Sequence, residues 1–140
     1  MTTPQRPHSP LPAAFLDALR DEEEVLVTSR NPTNGKQGTV PMWFAVGPTG
    51  VVYLFTLAYS RKAERWRVDP WVRLTAPRTG AVAEGVVLVV STDELAAVEP
   101  LAVEAWGMAG APTPEALRRL IADGSHLLLR VEAAPALSPR

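Results

Sequence analysis

Short apolar runs separated by turn-forming residues dominate the chain, and only a few stretches carry helical spacing. Val25-Leu26-Val27-Thr28-Ser29 is β-branched and apolar and predicts a first strand. Thr39 to Val46 predicts a second; Pro41 inside it lacks a ladder donor and so marks an edge or a bulge. The loop between them, Arg30 to Gly38, is dense in turn formers, and its Asn34-Gly35 pair suits a type I′ turn. Gly47-Pro48-Thr49-Gly50 then turns the chain into a third strand, Val51 to Thr56. Trp71 to Ala76 and Ala81 to Val90 predict strands four and five, with a break in the fifth near Gly85, and His126 to Ala133 predicts the last. Val86 to Val90 and Leu127 to Leu129 are apolar without alternation, so both of their faces need cover.

Helical spacing appears first from Leu11 to Glu24, where Pro12 suits the first turn and Phe15, Leu16 and Leu19 share a face. Asp21-Glu22-Glu23-Glu24 opposes the dipole at that helix's end, which predicts an early stop and a solvated acidic corner. Ser60 to Val68 predicts a short helix with Ser60 as N-cap, closed by Asp69-Pro70. Leu95 to Trp106 has helical period but is interrupted by Pro100. Thr113 caps a further helix to about Ala122, and Gly124 ends it. Strands joined by short links, without regular strand–helix alternation, suit a closed or split antiparallel barrel rather than a parallel sheet. No Gly-x-Gly-x-x-Gly follows a strand, so a dinucleotide-binding fold is not expected.

Composition narrows the chemistry. The 140 residues suit one domain, and 46% hydrophobic residues give it a core. A net charge of −1 without a long basic run argues against nucleic acid as partner. The absence of cysteine excludes disulfides, thiolate catalysis and Cys-type zinc sites. The two histidines, His8 and His126, are too far apart in sequence to suggest a metal site, and no Gly-x-Ser-x-Gly supports a hydrolase triad. No apolar run is long enough to span a membrane, and Met1 to His8 lacks a signal peptide's apolar core, so a cytoplasmic location is expected.

The one unusual charge pattern lies between strand three and the short helix, at Ser60-Arg61-Lys62. Cations in a first helical turn are disfavoured, by roughly 0.3–1 kcal/mol each when exposed. An anion on that helix end reverses the argument, because backbone N–H groups, the Ser60 hydroxyl and two cations then converge on it. The two readings are a phosphate site and a solvated helix start. Trp43, Trp66, Trp71 and Trp106 read as core or interface residues.

Phe55-Thr56-Leu57-Ala58-Tyr59-Ser60-Arg61-Lys62 resembles the aromatic-Thr-x-x-x-Ser-Arg-Lys pattern of the pyridoxamine 5′-phosphate oxidase-like flavoproteins. Asp69-Pro70-Trp71-Val72 is similar to that family's Asn-Pro-x-Val entry to the next strand, and the likeness covers about Val25 to Leu74. It implies a mainly β (α+β) fold, a six-stranded antiparallel split β-barrel with flanking helices. On this reading residues 11–134 form the single flavin-binding domain, 1–10 a flexible arm and 135–140 a tail. The resemblance further implies an FMN-dependent oxidoreductase acting as a homodimer on a small molecule. Ser60, Arg61 and Lys62 would hold the phosphate, Phe55 and Thr56 would lie at the site, and Trp43 would flank the ring. The deazaflavin coenzyme is the alternative, since Pro41-Met42-Trp43-Phe44 resembles that branch as much; a non-enzymatic flavin- or haem-binding protein on the same barrel is a further alternative. Two features depart from the true oxidases: strand two has no cation, and the C-terminal Trp and Arg substrate signature is missing. Pyridoxamine phosphate is therefore not the expected substrate, and no residue stands out as a general base.

Overall fold

The computed structural model describes residues 10–47, 49–91, 94–95, 98–100 and 113–133. The elements run α1 (Ala13–Leu19), β1 (Glu24–Arg30), β2 (Gln37–Val46), β3 (Val52–Leu57), α2 (Arg61–Val68), β4 (Trp71–Thr75), β5 (Val82–Val89), α3 (Pro114–Ala122) and β6 (His126–Ala133). The six strands close into an antiparallel barrel in the order β1-β2-β3-β6-β5-β4, with β4 returning to β1. This is the mainly β, flanked barrel that the strand pattern and the resemblance predict. The predicted arm and tail, and most of the helix expected from Leu95 to Trp106, lie outside the described residues; residues 94–95 and 98–100 are helical.

Alternation along the strands builds two cores. Val25 and Val27 of β1, Val52 and Leu54 of β3, Val72 and Leu74 of β4, and Leu129 and Val131 of β6 pack in one cluster with Phe15 and Leu19 of α1 and Trp66 of α2. The opposite faces of β3 and β6 supply Tyr53, Phe55 and Leu128 to a second cluster, which Val98 and, from α3, Leu117 complete. The outward Leu128 is thus covered by the chain's own helix. On β5 the cover is thinner: Val89 is 62% exposed and Leu88 36%.

Three expectations need correction. α1 ends at Leu19, ahead of the acidic run as the dipole argument requires, but the corner is not wholly solvated. The Glu22 carboxylate accepts the Arg78 backbone N–H at 2.7 Å and pairs with the Arg78 side chain, tying this corner to the β4–β5 turn. Asn34-Gly35 does not form a type I′ turn, which needs positive φ at both central residues. Gly35 has φ +73°, but no other residue type among those described has positive φ. The loop is instead closed by Asn31, whose backbone O and N bond Gly35 N and Lys36 O at 2.8 Å each. Finally, β5 runs unbroken through Gly85. A Cβ there would lie 2.1 Å from the Glu132 carbonyl oxygen, so the glycine permits a close strand approach and does not end the strand.

The second cluster also carries a polar group of contacts. Arg130 on β6 bonds both Glu94 and Glu132, and the Tyr53 hydroxyl donates to Glu94 Oε2 at 2.9 Å. Burial, then this hydrogen bond to a carboxylate, pushes the Tyr53 pKa up, so the phenol stays protonated. The contacts anchor Glu94 to the barrel wall.

Candidate functional site

The barrel opens along one seam. β1 and β2 pair from Glu24↔Trp43 to Arg30↔Gln37, whereas β2 and β3 pair only from Phe44↔Leu54 to Val46↔Val52. In the strand ladder Pro41, Met42 and Trp43 therefore pair with β1 and not with β3. Across the gap, Phe55, Thr56 and Leu57 have turned to β6, pairing with Leu128, Leu127 and His126. Pro41 sits on this locally free edge, where a missing N–H costs nothing, as its position in the sequence predicts.

The gap is a cavity of about 260 Å³. Pro41, Met42 and Trp43 form one lip and Phe55, Thr56 and Leu57 the other, with Lys62 and His126 completing the lining. Trp43 is 40% exposed, whereas Phe55 and Thr56 are buried. His126 stacks on Phe55, with ring centroids 4.8 Å apart and planes 13° from parallel.

The helix start beside the cavity is built by Ser60. Its extended backbone (φ −67°, ψ 156°) stops the strand-to-helix turn, and its Oγ accepts the Ala63 N–H at 3.2 Å. The N–H groups of Arg61 and Lys62, at the first two positions of α2, have no carbonyl a turn earlier in the helix. Thr56 Oγ1 lies 3.4 Å from Ser60 Oγ, so the two hydroxyls link strand and helix. Lys62 is half-buried, and burial lowers its pKa below the usual lysine value. A cation held in a desolvated place beside a positive helix end is a standing electrostatic cost, which a bound anion would relieve.

Two tethers hold this helix in place. Arg67 donates to the Ala58 carbonyl at 3.0 Å, across the turn that precedes the helix. At its far end Arg30 grips Asp69 through two bonds of 2.8 and 3.1 Å, and the Arg30 guanidinium lies 4.4 Å above the Trp71 ring. The pairing with Arg30 holds the Asp69 carboxyl below its usual range.

The predicted site residues thus divide. Trp43, Phe55, Thr56 and Lys62 line one cavity, and Ser60 stands directly behind Thr56. Arg61 does not join them. It lines a separate depression of about 390 Å³ with Asn31, Pro32, Glu64 and Arg65, where Arg65 also donates to Ser29 Oγ at 3.3 Å. Successive residues in a first helical turn point about 100° apart, which separates Arg61 from Lys62. Pro41, Met42, Leu57 and His126 also line the cavity, and of these His126 is the polar group that the sequence does not mark, since it belongs to no motif. Its signal was the antiparallel pairing that sets it opposite Leu57 of the motif strand.

Apolar lips, a stacked aromatic pair, a cation and free N–H groups at a helix start together suit a planar heteroaromatic molecule that carries a phosphate. Among the described residues no group of three or more His, Cys, Asp or Glu is placed to hold a metal ion.

No protein-family model matches the sequence. No curated protein is similar to it either. Solved structures do match. A Clostridium acetobutylicum protein related to general stress protein 26 of B. subtilis, of the pyridoxinephosphate oxidase family, aligns with TM-score 0.62 at 16% identity, over 86% of this chain and 81% of its own. An FAD-binding protein from Mesorhizobium loti aligns with TM-score 0.58 at 15% identity, over 88% and 89%. A haem-binding protein from Mycobacterium smegmatis aligns with TM-score 0.63 at 16% identity, over 86% of this chain but only 51% of that one. At these identities the likeness is one of fold: this chain has the split-barrel fold of those proteins.

Proposed function

We propose that the chain binds FMN in the seam between β2 and β3 and works as a flavin-dependent oxidoreductase on a small molecule. The observation that carries this reading is the placement of Lys62, together with the free N–H groups of α2, at the cavity lined by Trp43, Phe55 and Thr56. Lys62, the N–H groups and the Ser60 hydroxyl are the phosphate-binding set, with Arg61 adding charge from outside. Trp43 and Phe55 bracket the ring. A bound flavin supplies hydride or electron transfer, and the protein's part is to bind, orient and exclude water. The flavin-binding and oxidase-family structural matches support a flavin-type cofactor on this fold.

The proposal includes a homodimer. At about 260 Å³ the cavity falls short of the roughly 300–1,000 Å³ common for ligand pockets, so a flavin would project beyond its lips. Leu57 of the lining is 57% exposed, and Val40 and Tyr59 beside the lips are 42% and 78% exposed. A second copy covering these apolar side chains would complete the site and bury them on both copies at once. A cytoplasmic location remains part of this proposal.

The absorption spectrum of the purified protein is the test. The two bands of oxidised flavin support the reading; the single band of the deazaflavin coenzyme moves it to that phosphate-bearing relative, which presents the same chemistry to Lys62. Haem is the second reading, favoured by the M. smegmatis match and by a histidine on the cavity. A Soret band would replace flavin with haem. Light scattering of the cofactor-bound protein tests the dimer, and a monomer with full occupancy refutes it.

A further inference from the structure

His126 has a defined proton arrangement that neither the motif nor the fold supplies. Its Nδ1 lies 2.8 Å from Ser125 Oγ. The same hydroxyl lies 3.0 Å from the Leu120 carbonyl oxygen. A carbonyl only accepts, so the single hydroxyl proton of Ser125 points at Leu120. Ser125 Oγ is then the acceptor toward the ring, and Nδ1 must carry a proton to donate. The neutral imidazole is therefore fixed as the Nδ1–H tautomer, with a lone pair on Nε2. Nε2 has no hydrogen-bond partner among the described residues. The arrangement is locally rigid: Asp123 Oδ1 accepts the Ser125 N–H at 2.9 Å, and Gly124 takes φ +79° to close the turn. The Phe55 stack fixes the ring plane. Among the described residues, the charged groups near this ring are Asp123, across the turn, and Lys62, on the same cavity.

We propose that His126 orients the ligand by accepting, at Nε2, a hydrogen bond from a ring-edge N–H. The assignment rests on the flavin reading of the cavity and deepens it. Lys62 presents a cation to the phosphate, and His126 presents an acceptor from the neighbouring strand. A molecule with an anionic tail and an N–H flanked by carbonyls on its ring, as FMN has, is then seated in one direction only. A ring whose edge offers only acceptors leaves the Nε2 lone pair unmatched and is discriminated against.

The test uses the full chain labelled with 15N-histidine. Comparison with His126→Phe assigns the His126 signals in a long-range 1H–15N spectrum. The expected result is a protonated Nδ1 and a bare Nε2 in the free protein, with the Nε2 signal moving on titration with FMN. His126→Phe keeps a ring against Phe55 but has no acceptor, and FMN affinity should fall about tenfold. His126→Gln returns a carbonyl acceptor and should recover part of that loss, which a purely structural role would not predict. An Nε2–H tautomer overturns the proposal. So does FMN affinity in His126→Phe equal to that of the wild type while Lys62→Ala is weakened. If the wild-type chain takes up no FMN, the flavin reading itself falls, and this assignment with it.

Discussion

Replacing Lys62 by alanine isolates the interaction on which the proposed site depends. The ammonium is half-buried on the cavity wall, and burial lowers its pKa, so in the free protein the charge is held at a cost. A phosphate beside it regains that cost and adds a charge-assisted hydrogen bond, worth about 1.5–3 kcal/mol. Lys62→Ala should therefore weaken FMN binding by roughly 10- to 150-fold. The same change should leave the free protein as stable as before or slightly more stable, because an uncompensated cation has been removed. Arg61→Ala is the internal comparison: its exposed side chain lines another depression, and the loss should stay below about 1 kcal/mol. The assay is flavin fluorescence titration with FMN and, in parallel, with riboflavin, which lacks the phosphate. Riboflavin affinity should not change in Lys62→Ala. The pH dependence follows in sign. The unfolded chain holds the Lys62 proton more tightly than the folded one, so the stability of the free protein rises with pH between the lowered and the ordinary lysine value. FMN affinity falls over the same range as the cation is lost. An FMN affinity within twofold of wild type refutes the phosphate assignment, and an equal loss for riboflavin shows that Lys62 meets the ring instead.

Three further outcomes follow from the geometry. Ser60→Ala removes the acceptor of the Ala63 N–H and should cost about 0.5–2 kcal/mol in urea unfolding, with FMN binding weakened less than in Lys62→Ala. Gly85→Ala drives a Cβ to 2.1 Å from the Glu132 carbonyl oxygen; β5 and β6 must part, and a loss of about 3 kcal/mol should lower Tm by roughly 6–12 °C, whereas an unchanged Tm would mean that the strands are not so close. Asp69 is held below the ordinary carboxyl range by Arg30, so its contribution is present above that range and lost as pH falls through the lowered value; Asp69→Asn should be less stable near neutrality and show a shallower loss in acid, measured as Tm against pH.

The strand order and the site strand were legible because their signals are local. Proline at 41, the Gly50 turn and the Ser60 cap each restrict the backbone directly, and the structure has an edge, a turn and an N-cap at those places. What stayed hidden depends on contacts between distant segments. Gly85 reads as a breaker in isolation and becomes a point of close approach only when β6 lies beside it. The burial of the Glu22 carboxylate requires the Arg78 turn, 56 residues away. His126 carried no local motif, since its role comes from pairing with Leu57 and from a Ser125 hydroxyl directed by Leu120. Adjacent charges in a sequence also do not share a direction, which is why Arg61 and Lys62 part company on the helix.

The seam itself explains why these residues meet. A barrel in which every strand is paired along its whole length has no exposed edge and, at six strands, no room inside for a ligand. The first core here is filled by Val, Leu and Trp66. A site must then form where pairing fails. β2 is ten residues long but shares only Phe44 to Val46 with β3. Its other half follows β1, and β3 follows β6, so the sheet opens without breaking. A proline can occupy the freed edge of β2 because no partner asks for its N–H. The freed end of β3 runs directly into the Ser60 turn, so the start of α2 is delivered to the mouth of the gap. The same divergence sets the beginning of β6, and with it His126, against the far lip. One departure from full strand pairing therefore places an apolar wall, a helix start, a cation and a hydrogen-bond acceptor around a single cavity, and lengthening the β2–β3 ladder by two residues would close it.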